Sequence, residues 1–228
     1  MAVDLNPQAQ QMADESMVRT LAAQAEAIWP QEAPLLARYG LPPDAKVLDA
    51  GCGTGEFAVR IAEAWPRAEV LGVDIIDASL ERARWRCGPL GARVRFEHRS
   101  VFELGLPARA FGLVACRHVL QSIPRVPDAL AELVRVTKPG GRLHLIAEDY
   151  GMMHFPRGRL DPDEFWLFGP RQFGAATGTD MHVGRNVAPL LADLGLEEVR
   201  VDYVVVDTLR ETRRYAVWQV PVVSARVP

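Results

Sequence analysis

Val47-Leu48-Asp49-Ala50-Gly51-Cys52-Gly53-Thr54-Gly55-Glu56-Phe57 joins a predicted strand to a predicted helix, and its three glycines alternate with other residues. Glycine tolerates a positive φ and leaves the backbone open to close approach by a ligand. The helix that follows presents free N–H groups at its first turn. The segment therefore predicts a ligand-binding turn at the end of a strand.

Two common nucleotide-binding motifs do not fit this turn. A dinucleotide fingerprint, G-x-G-x-x-G, would require glycine at position 56, where the chain has Glu56. A P-loop would require Gly-Lys followed by Ser or Thr, and no lysine follows the glycines. The turn is thus predicted to bind a different ligand.

Strand and helix patterns alternate outward from this turn. Apolar strand patterns cover residues 46–50, 70–75, 94–98, 111–116 and 143–147, with helical patterns between most of them. Such alternation is typical of a parallel sheet. Two β-branched runs near the C-terminus, 199–206 and 215–222, predict an antiparallel hairpin. The predicted fold class is α/β: a seven-stranded, mostly parallel sheet with helices on both faces and an antiparallel last strand.

Two segments lie outside this alternation. Residues 7–39 predict helical pieces that break around Pro30 and Pro34, and residues 148–185 show no clear periodicity. We therefore divide the chain into an N-terminal helical lid, 1–40, and a main domain, 41–228. Within that domain, 148–185 is interpreted as an insert after strand five that forms the substrate site.

Composition limits the class of protein. The chain has 228 residues, of which 49% are hydrophobic and 24% charged, a balance typical of one folded domain. No stretch approaches the roughly 18 apolar residues of a membrane span, and no secretory signal is recognisable. Three cysteines without a CxxC pair favour a cytoplasmic location and no metal site. A net charge of −3 provides no general attraction for nucleic acid.

Three features at matching spacing carry a family resemblance. The D-x-G-C-G-T-G turn resembles motif I of class I (Rossmann-like) S-adenosylmethionine-dependent methyltransferases. Asp74 ends the second strand, as an acidic residue does in that family, and residues 135–141 resemble its R-V-L-K-P-G-G turn. Together they cover about 45–147. The resemblance implies an enzyme that uses S-adenosylmethionine and releases S-adenosylhomocysteine, similar to metal-independent methyltransferases of quinones and natural products.

The resemblance also implies which residues bind the cofactor. The implied set is Asp49, Gly51, Gly53, Gly55, Asp74, Ile75, Ser100, Val101 and Arg117, with Arg19 of the lid as a partner for the cofactor carboxylate. Ser100 departs from the family, which commonly has aspartate near the adenine amino group. A serine hydroxyl can still accept that hydrogen bond, although without charge.

The sequence indicates less about the site that binds the methyl acceptor. Candidate bases lie on segments predicted at the carboxyl ends of strands, where ligands of open α/β sheets bind; they are His118, Asp149, Tyr150 and His154. Each also has a structural interpretation as a cap or a packed side chain. The expected reaction is in-line methyl transfer to O or N of a small organic molecule. A homodimer is compatible with the sequence, whereas neither a membrane nor a nucleic acid is an expected partner.

Two other hypotheses remain open on the sequence alone. The enzyme could methylate a macromolecule, a tRNA or a protein, through a basic cleft built from the arginines at 82–99 and from Arg157, Arg159 and Arg171. Alternatively, the chain could be a non-catalytic module that binds S-adenosylmethionine.

Overall fold

The computed structural model describes residues 6–12, 14–155, 159, 161–207 and 217–228. The helices are α1 (Ala9–Met12), α2 (Glu15–Ala37), α3 (Glu56–Ala64), α4 (Asp77–Cys87), α5 (Val126–Val136), α6 (Pro162–Thr177) and α7 (Val187–Asp193). The strands are β1 (Lys46–Ala50), β2 (Glu69–Asp74), β3 (Val94–His98), β4 (Phe111–Arg117), β5 (Thr137–Ile146), β6 (Met153–His154), β7 (Glu197–Asp207) and β8 (Val217–Arg226).

One mixed sheet organises the described residues. The spatial order is β3-β2-β1-β4-β5-β8, with β7 paired to the other edge of β8. The first five strands are parallel, and β8 runs antiparallel to both β5 and β7. The predicted parallel sheet with an antiparallel C-terminal hairpin is therefore confirmed. The chain order reverses between β1 and β4, and ligands of such sheets bind at that switch point.

The sheet has one strand more than the sequence predicted. The two-residue strand β6 pairs antiparallel with the start of β8, with Met153 opposite Trp218. Too short to leave a periodic signal, it could not be identified from sequence. It extends the line of β5 along the same edge of β8.

The central strands are buried on both faces. Every residue of β4 is buried, and β1 is buried from Val47 onward. Helix α5 packs Leu130 and Leu133 into the core on one side, and α3 packs Phe57 and Ile61 on the other. Helices on both faces leave the carboxyl ends of the strands as the accessible edge.

The predicted break in the N-terminal helix is wrong. Helix α2 is continuous from Glu15 to Ala37 and contains both Pro30 and Pro34. Proline lacks the N–H that would continue the helix and normally kinks or ends it. Tertiary bonds hold α2 around the prolines: Gln31 exchanges hydrogen bonds of 2.8 and 3.2 Å with the Val205 backbone of β7. Gln31 and Val205 lie 174 residues apart in sequence, so no local sequence pattern predicts their contact.

The segment 148–185 contains regular structure that its sequence did not indicate. Helix α6 occupies Pro162–Thr177 despite Pro170 within it. Trp166 on this helix stacks on both Tyr150 and Phe155, with ring centroids 5.5 Å apart in each pair. Aromatic packing rather than an amphipathic repeat therefore organises the described part of this segment.

Candidate functional site

A pocket opens at the carboxyl ends of β1, β2 and β4, where the chain order reverses. It encloses about 990 Å³, including its opening to solvent. Its walls come from the glycine turn, the end of β2, the turn after β4 and the N-terminal helices. A cleft at a topological switch point is the expected place for a small ligand.

The glycine turn is held by the neighbouring strand. The backbone N–H groups of Gly51 and Cys52 both donate to the Val73 carbonyl, at 2.8 and 3.0 Å. Gly51 has φ +75°, and a Cβ there would lie 2.2 Å from Val119, so only glycine fits. Gly53 has φ +51°, and a Cβ there would have no neighbour within 4 Å. The backbone at Gly53 is therefore open to a ligand in the pocket.

Asp74 fixes this turn from the end of β2. Its carboxylate accepts the Gly53 N–H at 2.8 Å and the Ile76 N–H at 3.0 Å. Burial raises the pKa of Asp74 above its ordinary value, although the backbone N–H groups of Gly53, Ile76 and Ile75 oppose this effect. A carboxylate offers about four acceptor sites, so after these three N–H groups one site remains for a ligand.

Asp49 lies at the bottom of the pocket, at the end of β1. It is 1% exposed, and its Oδ2 has no hydrogen-bond partner among the described residues. Burial raises the pKa of Asp49 to about 7, and the nearby Arg117 guanidinium only partly opposes this. An unpartnered buried carboxyl group beside a cavity suits a cationic ligand group.

A buried polar network lies beneath the pocket and was not anticipated from sequence. Glu32 of α2 is fully buried and takes a hydrogen bond of 2.9 Å from Arg117 Nη2, while Arg117 Nε lies 2.8 Å from its other oxygen. His144 Nε2 lies 2.8 Å from Glu32, and His144 Nδ1 lies 2.8 Å from the Tyr39 hydroxyl. The Arg117 guanidinium also stacks 4.9 Å over the Phe57 ring.

This network keeps Glu32 charged. Burial alone would raise the pKa of Glu32, but Arg117 and His144 outweigh burial and bring that pKa to about 2. Because Arg117 also lines the pocket, the network joins the pocket floor to helix α2. Its members come from four separate elements, so no local pattern could reveal it.

The N-terminal helices contribute to the pocket wall. Asn6, Met12, Leu21 and Ala25 line the cavity opposite the glycine turn. The Ser122 hydroxyl donates a hydrogen bond of 3.2 Å to the Gln8 side chain. This bond connects the residue before α1 to the turn after β4. Residues of the N-terminal segment therefore line the pocket, while its role as a lid stays a prediction.

The pocket brings together most of the cofactor residues that the sequence suggested. Those that line it are Asp49, Gly51, Gly53, Asp74, Ile75, Val101 and Arg117. The other three lie elsewhere: Gly55 packs against Ala83 and Phe96, and Arg19 is exposed near Glu15. Ser100 accepts the Phe102 N–H at 3.1 Å, and the preceding residue, Arg99, lines the pocket instead.

Of the four candidate bases, His118 lines the pocket and the other three do not. Asp149 is fully buried and binds Arg185 through both oxygens, at 2.6 and 2.8 Å. Tyr150 stacks on Trp166, and His154 is exposed on β6. His118 instead pairs with Glu148, which sequence reasoning passed over in favour of its neighbour Asp149.

The arginines of the predicted basic cleft are largely engaged within the protein. Their acceptors are Glu15 for Arg82, the Phe96 carbonyl for Arg84, the Thr54 carbonyl for Arg86, the Ala62 carbonyl for Arg93 and Glu97 for Arg99. Arg157 lies outside the described residues. These bonds favour a structural role for this run of arginines.

The described residues contain no group of three or more histidine, cysteine or acidic side chains arranged to hold a metal ion. In the same part of the chain, no helix is both long enough and apolar enough to cross a membrane.

Sequence comparison matches residues 47–141 to a family described as a methyltransferase domain. A demethylmenaquinone methyltransferase of Deinococcus radiodurans is 36% identical over 101 residues, which are 44% of this chain and 42% of that protein. A trans-aconitate 2-methyltransferase of the same organism is 34% identical over 161 residues, which are 69% of this chain and 60% of that protein. The chain thus spans about half the length of these curated relatives.

Solved structures share the fold. A SAM-dependent methyltransferase from Aquifex aeolicus superimposes with a TM-score of 0.61, covering 98% of both chains at 19% identity. Haemonchus contortus phosphoethanolamine N-methyltransferase 2, in complex with S-adenosyl-L-methionine, gives a TM-score of 0.72 at 16% identity, covering all of this chain and 60% of that one. At such identities the likeness shows the fold alone.

Proposed function

Because residues 47–141 form a methyltransferase domain of the class I, S-adenosylmethionine-dependent type, we propose that this protein transfers a methyl group from S-adenosylmethionine to a small organic molecule. The observation that carries the proposal is the pocket at the switch point, which combines an open glycine turn with the buried carboxyl group of Asp49 and the partly buried one of Asp74. We propose a cytoplasmic location, because the chain has three cysteines without a CxxC pair.

The pocket offers a partner for each of two parts of the cofactor, the ribose hydroxyls and the ammonium group. Asp74 would accept hydrogen bonds from the ribose hydroxyls, and Asp49, whose Oδ2 has no partner in the described structure, would face the ammonium group. Gly51 and Gly53 would allow the cofactor to approach the backbone, with Ile75 and Val101 beside the adenine. The site also includes Arg99 and Arg117 in its wall.

The bound cofactor supplies a sulfonium methyl group: its carbon–sulfur bond breaks, the electron pair stays on sulfur, and a new bond forms to the acceptor. Most of the catalysis would come from alignment of the two reactants without water. The N-terminal residues Met12, Leu21 and Ala25 would exclude water, because their apolar side chains close the pocket wall.

The acceptor proposed is a small molecule methylated at O or N. One observation favours a second candidate, transfer to carbon, because a relative with 38% identity over 98 residues is a ubiquinone/menaquinone biosynthesis C-methyltransferase of Syntrophotalea carbinolica. A mass-shift screen of small-molecule extracts with isotopically labelled cofactor would distinguish the two, since fragmentation locates the added methyl group.

Calorimetry with S-adenosylhomocysteine tests the cofactor site. We expect Asp74→Ala to weaken binding at least tenfold, about 1.4 kcal/mol, because the ribose hydroxyls lose a charged acceptor and the glycine turn loses its anchor. Asp77→Ala is the matched control, since Asp77 is an exposed carboxylate in the next helix that pairs with His98. No binding by the unmodified protein, or equal binding by Asp74→Ala, would refute the proposal.

A further inference from the structure

His118 and Glu148 form a hydrogen-bonded pair, and His118 lines the pocket. His118 Nδ1 lies 2.8 Å from Glu148 Oε1, and their side chains are only 10% and 5% exposed. The two residues follow β4 and β5, whose pairing places Arg117 opposite Ile146. The sheet itself therefore fixes the distance between them.

The second ring nitrogen of His118 is unsatisfied. Nε2 is buried and has no hydrogen-bond partner among the residues that the structure describes, yet His118 lines the pocket. A buried polar atom without a protein partner is the exception in folded proteins, and a ligand, an ion or a water molecule can supply the missing hydrogen bond. A carboxylate can only accept, so Nδ1 donates its proton to Glu148, and in the neutral ring Nε2 then carries the lone pair.

A second buried histidine shows what a purely structural role looks like in this fold. His144 has a partner at each ring nitrogen, the Tyr39 hydroxyl at Nδ1 and Glu32 at Nε2, both at 2.8 Å. His118 also has a backbone φ of +58°, a conformation that residues other than glycine rarely adopt. Such local strain concentrates at functional sites.

We propose that His118 Nε2 is the general base for an acceptor that carries an ionisable hydroxyl group, of the phenol or enol class, and that Glu148 positions the ring. The O–H bond of the acceptor breaks, its electron pair stays on oxygen, and the proton moves to Nε2. Glu148 then balances the charge of the imidazolium, which returns its proton to water once the product has left. This inference rests on the proposed function.

Removal of the hydroxyl proton favours methylation at the oxygen and also methylation at a carbon. It raises the electron density of the oxygen and of the ring or enol carbons conjugated with it. The acceptor class is therefore defined by the hydroxyl group, whether the methyl group is added at that oxygen or at a carbon. An acceptor without such a group would gain nothing from the lone pair at Nε2.

Nitrogen NMR of protein with labelled histidines tests the assignment, in complex with S-adenosylhomocysteine at about pH 8, where a free imidazole is neutral. His118→Gln identifies the signals. We expect His118 to carry its proton on Nδ1 with Nε2 free, and Glu148→Leu to move the proton towards Nε2. A proton on Nε2 in the unmodified protein would overturn the proposal, whether or not the variant folds.

Titration with phenol provides the second measurement. We expect the Nε2 signal of His118 to shift towards its protonated position while the signals of His144 stay fixed, since both nitrogens of His144 are already bonded. A His118 signal that does not move at saturating phenol would overturn the inference. Absence of S-adenosylhomocysteine binding would instead refute the proposed function, so the two failures are distinguishable.

Discussion

Asp49 shows how a single residue sets the chemistry of this pocket. Its carboxyl group lies at the end of a strand buried between two others, and burial raises the pKa of Asp49 to about 7. Because the raised pKa favours the neutral form, stability of the ligand-free protein falls as the pH rises through this value. A cation placed beside Asp49 would reverse that preference.

Binding of S-adenosylhomocysteine should therefore release a proton from Asp49 in mildly acidic solution. At about pH 6 the carboxyl group is mostly protonated, and an ammonium group beside it would lower its pKa, so we expect the release of most of one proton per ligand. Calorimetry in two buffers of different ionisation enthalpy measures this number. Asp49→Asn should release almost none, and equal release by both proteins would show that the proton comes from another group.

At the scale of the element, helix α2 is the informative case. It contains two prolines and one fully buried acid, Glu32, yet it is continuous. Its position is fixed by the ion pair of Glu32 with Arg117 below the pocket and by the Gln31 bonds to β7. A helix that its own sequence disfavours is thus held by partners in other elements.

Loss of the buried charge should destabilise the protein strongly. We expect Glu32→Gln to lower the free energy of unfolding by about 3 kcal/mol, because Arg117 would be left as an uncompensated buried cation. Urea denaturation followed by circular dichroism measures the change. Since the pKa of Glu32 is about 2, the difference between the two proteins should persist down to mildly acidic pH.

An exposed ion pair of the same helix region provides the control. Arg38 and Asp202 lie 2.9 Å apart, with side chains 51% and 31% exposed. Asp202→Asn should cost less than about 1 kcal/mol, since exposed pairs are screened by water. If the two substitutions had similar effects, the buried network would not be what holds α2.

At the scale of the whole molecule, the sheet and the N-terminal helices share the pocket. The strands supply its polar floor and one wall, while Asn6, Met12, Leu21 and Ala25 supply the opposite wall. Among the residues described before Ala23, none is buried in the core, and Gln8 contacts Ser122 after β4. Ligand binding should therefore depend on this segment more than folding does.

Deletion of residues 1–12 tests that dependence. We expect about tenfold weaker binding of S-adenosylhomocysteine, or about 1.4 kcal/mol, because Asn6 and Met12 leave the pocket wall. The urea midpoint of the ligand-free protein should change little. A midpoint that falls steeply would mean that the segment belongs to the folding core, and unchanged affinity would mean that it does not cover the ligand.

The sequence by itself determined the framework of the protein. The glycine turn and the strand and helix periods are local patterns, and they predicted the parallel sheet and its antiparallel end. These predictions succeed because strand alternation and glycine geometry act over a few neighbouring residues. Residues 47–141 carry most of this information, and they are also the part that matches the methyltransferase domain.

Only the tertiary structure decided how these pieces meet. It placed Glu32 against Arg117, 85 residues away, and His118 against Glu148, 30 residues away. It also left His118 Nε2 and Asp49 Oδ2 buried without a partner in the described structure. Burial and pairing of charges depend on which elements pack together, and no spacing along the chain encodes that. The wall of the pocket therefore comes from the packing of distant segments.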